Sequence, residues 1–429
     1  MAIKPFYPSG LTDDSPALID SPLMRRAGRD VLSLALMDAR NHTLQLFAQY
    51  ESALQAVNFR VPGGPGLEPP LWKLGHVGWF QEWWIGRNLQ RSLGPRCPPG
   101  GVRLPSIESK ADQWFGMHPA GPAGLQALPD VATCRAYLLE TLESTLELLE
   151  RTDDQDDALY FYRLCLLRED LQGESFAAMA QALGLPLGKA VQAAFTPAQM
   201  PLRAPLWVPA THCLLGSPSE ADTGFAFDNE QPVHAVNVPE FEIDAQAVTW
   251  AQYVEFVADG GYDRPELWHP EGWRWLQALA AGEGRRGPRY VEEIGASAGA
   301  VVQSRFGQPM RMHAQQPAMH VSWWEADAWC RWAGRRLPAE AEWEAAARTA
   351  ARRGFRWGDV WEWTASTFRP YPGFVPGPDH GYSQPCFGTH RVLRGGSMAS
   401  RARLKHPAFR RFQLPGRDEA FCGFRSCAL

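Results

Sequence analysis

Apolar residues recur at every third or fourth position through 26–54, 71–85, 134–149 and 158–183, with polar residues on the intervening positions. This period predicts four long amphipathic helices. The Pro- and Gly-rich stretches between them, 61–70 and 94–105, suit the loops of an up-down bundle. Beyond Trp207 the texture changes to short apolar runs broken by Gly and Trp. Helical periods return there at 249–257, with Thr249 as N-cap, at 323–333, and at 339–348 behind Pro338. The expected fold class is α+β. A loose polar arm (1–25) leads into a four-helix bundle (26–185), a linker rich in Pro (186–206) and an irregular α+β domain (207–429).

Composition narrows the function classes. A chain of 429 residues exceeds what one hydrophobic core usually organises, which agrees with two domains. A net charge of −5 argues against a general nucleic-acid binder. No apolar run reaches the roughly 20 residues that span a bilayer, and Met1 to Asp14 has no apolar core of a secretory signal, so a cytoplasmic location without membrane partners is expected. The eight Cys are scattered without CxxC pairs, as suits reduced thiols. The 18 Trp are many, and Trp clusters line pockets as well as cores.

The fourth helical stretch contains the run LREDLQGE at 167–174. Positions 168 and 172 lie one turn apart on one face, the spacing with which two ligands grip one metal ion. Arg168 and Gln172 stand there. A guanidinium stays protonated and has no lone pair to give a metal, and an amide oxygen is a hard, weak ligand.

The second half resembles the formylglycine-generating-enzyme-like fold, a C-type-lectin-like α+β domain. The likeness rests on seven strings in order: FDNE (227–230), VTWAQY (248–253), HVSWWEA (320–326), RRLPAEAEWE (335–344), GDVWEWT (358–364), LRGGS (393–397) and GFR (423–425). The first half resembles a DinB-like four-helix domain through PLWKLGHVGWFQE (70–82) and the run at 167–174. Together they resemble the ergothioneine sulfoxide synthases and selenoneine synthases.

That resemblance implies a non-haem Fe(2+), an oxygen-dependent C–S or C–Se bond formation on hercynine, and a thiol or selenol donor as a further small-molecule partner. It implies His76 as the retained first ligand, with Arg168 and Gln172 in the two other ligand positions and Glu174 as the trailing acid. Two states of the site follow. Either a rearranged shell drawing on Glu82, Glu169 or Glu174 holds the metal, or the chain is an iron-free pseudoenzyme or binding protein of the same fold.

The resemblance also implies a catalytic tyrosine at Tyr371, in a loop between two prolines, where a phenol manages protons on reduced oxygen. Arg87, Arg410, Arg411 and Arg417 are candidates for substrate binding, since Arg forks bind carboxylates. They include members of a stretch with nine basic residues between Arg391 and Arg425 against two acids, Asp418 and Glu419. Trp361, Trp363 and Trp79 are candidates for facing a trimethylammonium group. Each of these has a structural alternative in core packing, turn formation or ion pairing. Cys422 and Cys427 have the spacing of a copper-binding pair, but they straddle GFR instead of preceding it, which disfavours a copper-dependent oxidase.

Overall fold

A computed structural model describes residues 18–117, 128–199, 201–218, 224–294 and 301–429. Four long helices form the first half: α1 (Arg29–Leu54), α2 (Pro70–Gln81), α3 (Val131–Glu150) and α4 (Asp156–Leu183). Each boundary has a local cause. Proline opens α2, where its missing N–H costs nothing. The Asp130 carboxylate accepts the Thr133 N–H at 2.8 Å to cap α3. Gly184 ends α4 at φ 64°, a left-handed conformation that an L side chain resists. All twelve residues of α2 are buried, Lys73, His76 and Gln81 included. A single π-type turn, Glu82–Gly86, continues it and aims Glu82 inward.

The arm differs from expectation. Residues 1–17 lie outside the described residues, but Pro22–Arg26 forms a 3-10 turn with Met24 and Arg25 buried. Arg25 grips both oxygens of Glu230 at 2.5 and 2.9 Å, and its carbonyl accepts the Phe225 N–H at 2.7 Å. This charged pair is enclosed, so the segment is packed against the second half and is not loose. The expected linker likewise holds a short helix, Lys189–Ala194. It is tied to the second half by Arg305 donating to the Phe195 carbonyl (2.8 Å) and Gln316 to that of Pro197 (3.0 Å).

The second half combines small sheets with four helices of nine or more residues among its described residues: α5 (Trp250–Ala258), α6 (Pro270–Glu283), α7 (Trp323–Trp332) and α8 (Glu340–Thr349). Capping boxes start α5 at Thr249 and α7 at Ser322. Helix α6 was not foreseen. Its buried positions are Gly272 and Leu276, and it opens on Pro270 and Gly272, residue types that read as loop. The strands are β1 (Leu206–Val208), β2 (Thr211–Leu215), β3 (His234–Val238), β4 (Phe241–Ile243), β5 (Val291–Ile294), β6 (Val301–Arg305), β7 (Gln308–Met312), β8 (Trp361–Thr367), β9 (Arg391–Gly395), β10 (Arg411–Gln413) and β11 (Cys422–Phe424). The largest sheet runs β10-β9-β8-β11, with only β8 and β11 parallel. The fold is α+β.

One hydrophobic core runs from α1, at Leu32 and Phe47, through to Phe424 in β11. Charged pairs at the junction fix how the halves meet. Arg403 is fully buried and holds both oxygens of Asp170 at 2.5 and 2.8 Å. One turn along α4, Glu174 accepts from four groups of the second half: Trp361 Nε1 (2.5 Å), Ser397 Oγ (3.2 Å), Ser400 Oγ (2.6 Å) and Arg411 Nη1 (3.0 Å). The α4 face between these residues and α2 is thereby held at the mouth of a cleft.

Candidate functional site

His76 sits in α2 behind a glycine that its setting requires. A Cβ on Gly75 would stand 2.2 Å from the Phe115 ring, so only glycine lets Phe115 bring its carbonyl to His76 Nδ1 at 2.8 Å. The carbonyl can only accept, so Nδ1 carries the proton and Nε2 keeps its lone pair. The ring stacks on Trp72 at 4.7 Å and Trp79 at 5.5 Å. Burial lowers its pKa from 6.5 to about 4, keeping the imidazole neutral at physiological pH.

His76, Val77, Phe80, Cys165, Arg168, Glu169 and Gln172 line the inner recess. It adjoins a cleft of about 340 Å³ that Arg168 and Gln172 share with Lys73, Tyr382, His390 and Arg411. Arg168 faces this cleft, its guanidinium lying over the rings of Phe80 (5.1 Å) and Tyr382 (4.5 Å). Its Nε is 3.5 Å from Asp379 Oδ2. Burial pushes the Asp379 carboxyl up to about 6, against the pull of Arg168. Lys73 is committed to Glu68 (2.5 Å) and Ser175 (2.7 Å).

The other sequence-derived residues divide between cleft and core. Arg411 lines the cleft and lies over Trp361 at 5.1 Å. Trp361 is fully buried beneath it, its N–H on Glu174. Trp363 is a core residue whose Nε1 donates to the Val321 carbonyl at 2.8 Å. Trp79 and Arg87 converge on Asp112, Trp79 through Nε1 at 2.7 Å and Arg87 as a fork at 2.6 and 3.0 Å. Arg410 is enclosed by Glu340, the Asn229 carbonyl and the Arg369 carbonyl. Arg417 pairs with Glu419 at 2.9 Å, and Arg425 is locked onto Glu362 at 2.5 and 2.6 Å.

Tyr371 lies away from the recess. Its ring packs on His234 at 4.5 Å and under the Arg410 guanidinium at 4.0 Å, and burial raises its phenol. The tyrosine that reaches the cleft is Tyr382, its phenol pushed up to about 12 by burial. Sequence reasoning missed Tyr382, Asp379 and Phe80. For Phe80 a signal existed, since it lies four residues beyond His76 on the same helical face. Cys422 and Cys427 are buried free thiols on separate backbone ladders: Cys422 pairs with Trp361, and Cys427 bridges to Ile243 and Arg336.

Comparisons with known proteins bear on what this arrangement is for. The family described as sulfatase-modifying factor enzyme 1-like domain matches residues 191–359 and 356–428. The formylglycine-generating enzyme of Streptomyces coelicolor is 30% identical over 48% of this chain and 83% of its own length. Hercynine oxygenases match both halves. The hercynine oxygenase of Mycolicibacterium thermoresistibile is 32% identical, covering 92% of this chain and 94% of its own, and that of Mycolicibacterium smegmatis is 31% identical, covering 92% and 98%. This chain belongs to the hercynine oxygenase family.

Whether this family member's residues fit an Fe(2+) is decided by their partners. Glu82 accepts from Ser106, the Ile107 N–H and Tyr137 at 2.6–2.7 Å. Glu169 is paired with Arg40 at 2.9 Å, and Glu174 is committed to its four donors. Glu169 lines the recess with His76, but both of its oxygens are held by Arg40, and neither Glu82 nor Glu174 lines the recess. Among the described residues no group of three His, Cys, Asp or Glu could hold a metal, and the permanent charge of Arg168 lies in the recess that His76 lines. As arranged, the residues do not fit Fe(2+), and holding it would require a rearranged shell.

A buried neutral histidine makes this hercynine oxygenase relative acid-sensitive. The unfolded chain takes up a proton near pH 6.5, while the folded chain refuses it at His76 and at His42 until about pH 4. Stability is therefore full above about pH 6.5 and lost as the pH falls toward 4. For His76 the loss approaches about 3 kcal/mol at pH 4, and Asp379, raised to about 6, opposes part of it below pH 6. The melting temperature is expected to fall between pH 7 and 4.5, more shallowly in His76→Gln. An equal slope in both proteins would refute this assignment.

Proposed function

We propose that this chain handles hercynine in ergothioneine-type chemistry, the reaction class being the oxygen-dependent joining of sulfur or selenium, from a thiol or selenol donor, to the hercynine imidazole. The observation that carries this reading is the extent of the likeness. It spans 92% of the chain, and so takes in both halves and not the second alone. The chemistry of the cleft supports it. The cations Arg168 and Arg411 suit a carboxylate, Arg168 being held in place over the rings of Phe80 and Tyr382. Eight free cysteines accord with a cytoplasmic setting.

A second reading, an iron-free binding protein of the same fold, is favoured by one observation: Arg168 stands beside His76 in the recess where a metal would need a further ligand. One pair of measurements separates the two. On the first reading, oxygen uptake by iron-treated protein depends on both hercynine and a thiol or selenol. On the second, calorimetry shows hercynine binding while oxygen uptake stays at the background rate. Neither binding nor uptake would reject hercynine as the ligand.

A further inference from the structure

We infer that Arg168 makes the inner end of the cleft a carboxylate-binding site in place of a metal site, with Arg411 as the second cation of its wall. The inference rests on the cleft being the ligand site and names the group on the ligand that is gripped there.

The guanidinium of Arg168 is held by stacking and leaves its hydrogen-bonding edge open. It lies 5.1 Å from the Phe80 ring centre and 4.5 Å from that of Tyr382, so its plane is set before a ligand arrives. The acid within ion-pair distance of it, Asp379, stands 3.5 Å from Nε, beyond hydrogen-bond range for this geometry; Glu169 in the recess is held by Arg40, and Glu68 in the cleft by Lys73. None of its five N–H donors makes a hydrogen bond to a described residue. Its side chain keeps 22% exposure, toward the cleft.

The other arginines nearby are closed. Arg394 and Arg410 are each enclosed by a glutamate and backbone carbonyls, and Arg403 is enclosed by two aspartates and a carbonyl. Arg411 gives Nη1 to Glu174 and retains its remaining donors at the cleft wall. An open, pre-oriented fork beside a neutral His76 and the Gln172 amide repels a metal cation and accepts a planar carboxylate through two parallel N–H···O bonds.

The test is calorimetry on the full chain with three probes: hercynine, its decarboxylated counterpart, and imidazole-4-acetate, which has the carboxylate but no ammonium. Wild type is expected to bind hercynine about tenfold or more tighter than the decarboxylated probe. Arg168→Gln should collapse that ratio to about one and Arg168→Lys should keep part of it, because Lys retains charge without the fork. Asp379→Asn removes the competing carboxylate and should tighten both acids, a gain that a folding defect would not produce.

A ratio that survives in Arg168→Gln overturns the inference and leaves the hercynine reading standing. Imidazole-4-acetate binding that is lost in Arg168→Gln, with no hercynine binding, upholds the carboxylate site and rejects hercynine. Failure of both acids to bind overturns the inference.

Discussion

Glu174→Ala is expected to destabilise the protein by about 3–5 kcal/mol, the cost of removing one partner of a buried charged network. Glu174 is 1% exposed, and all four of its donors come from the second half: Trp361, Ser397, Ser400 and Arg411. Truncation strands an indole N–H where water has little access, leaves the Ser397 and Ser400 hydroxyls only each other at 3.3 Å, and deprives the Arg411 charge of its counterion. The effect falls on the junction of the halves, because Ser397 and Ser400 belong to the loop that also presents Arg403 to Asp170. Urea titration measures it. The half-exposed pair of Arg135 with Glu51 serves as control: Arg135→Ala should change stability by no more than about 0.5 kcal/mol. Equal unfolding midpoints for the two variants would show that the Glu174 network does not hold the halves together.

The bundle was legible because its helices are long and repeat apolar residues at three- and four-residue spacing, even where α2 is buried all round. Helix α6 was not, since Pro270 and Gly272 at its start read as loop residues. For the site, the period at 168 and 172 gave the shared face of Arg168 and Gln172 but not what faces them. Asp379 and Tyr382 arrive from a loop some two hundred positions away, in a stretch without periodicity. The acids nominated to complete a metal shell failed for the same reason. Their partners, Arg40 for Glu169 and Ser400 for Glu174, are separated from them by 129 and 226 positions, and no local pattern announces such pairings. Tyr371 shows the limit of carry-over by motif, since a tyrosine in a matching loop packs on His234 and Arg410 while Tyr382 takes the cleft.

The double substitution Arg168→His with Gln172→His is expected to raise iron content, after anaerobic Fe(2+) loading and desalting, from the level of a His76→Ala control to about one ion per chain. One of the three ligands is already prepared. His76 is neutral, and its Nδ1 proton is held by the Phe115 carbonyl, the outer hydrogen bond that orients a metal-binding imidazole through Nε2. Two histidines four residues apart on α4 would add ligands from one helical face. Removing Arg168 also deletes a fixed positive charge from the recess, and at an effective dielectric constant near 20 a unit charge several ångströms away is worth a few kcal/mol against a divalent ion. The single change Arg168→His should therefore recover more iron than Gln172→His alone, because it both adds a ligand and removes the repulsion. Stoichiometric iron in the unaltered chain, lost in His76→Ala, would mean instead that a rearranged shell forms on loading, and the Arg168 carboxylate site would fall with that result.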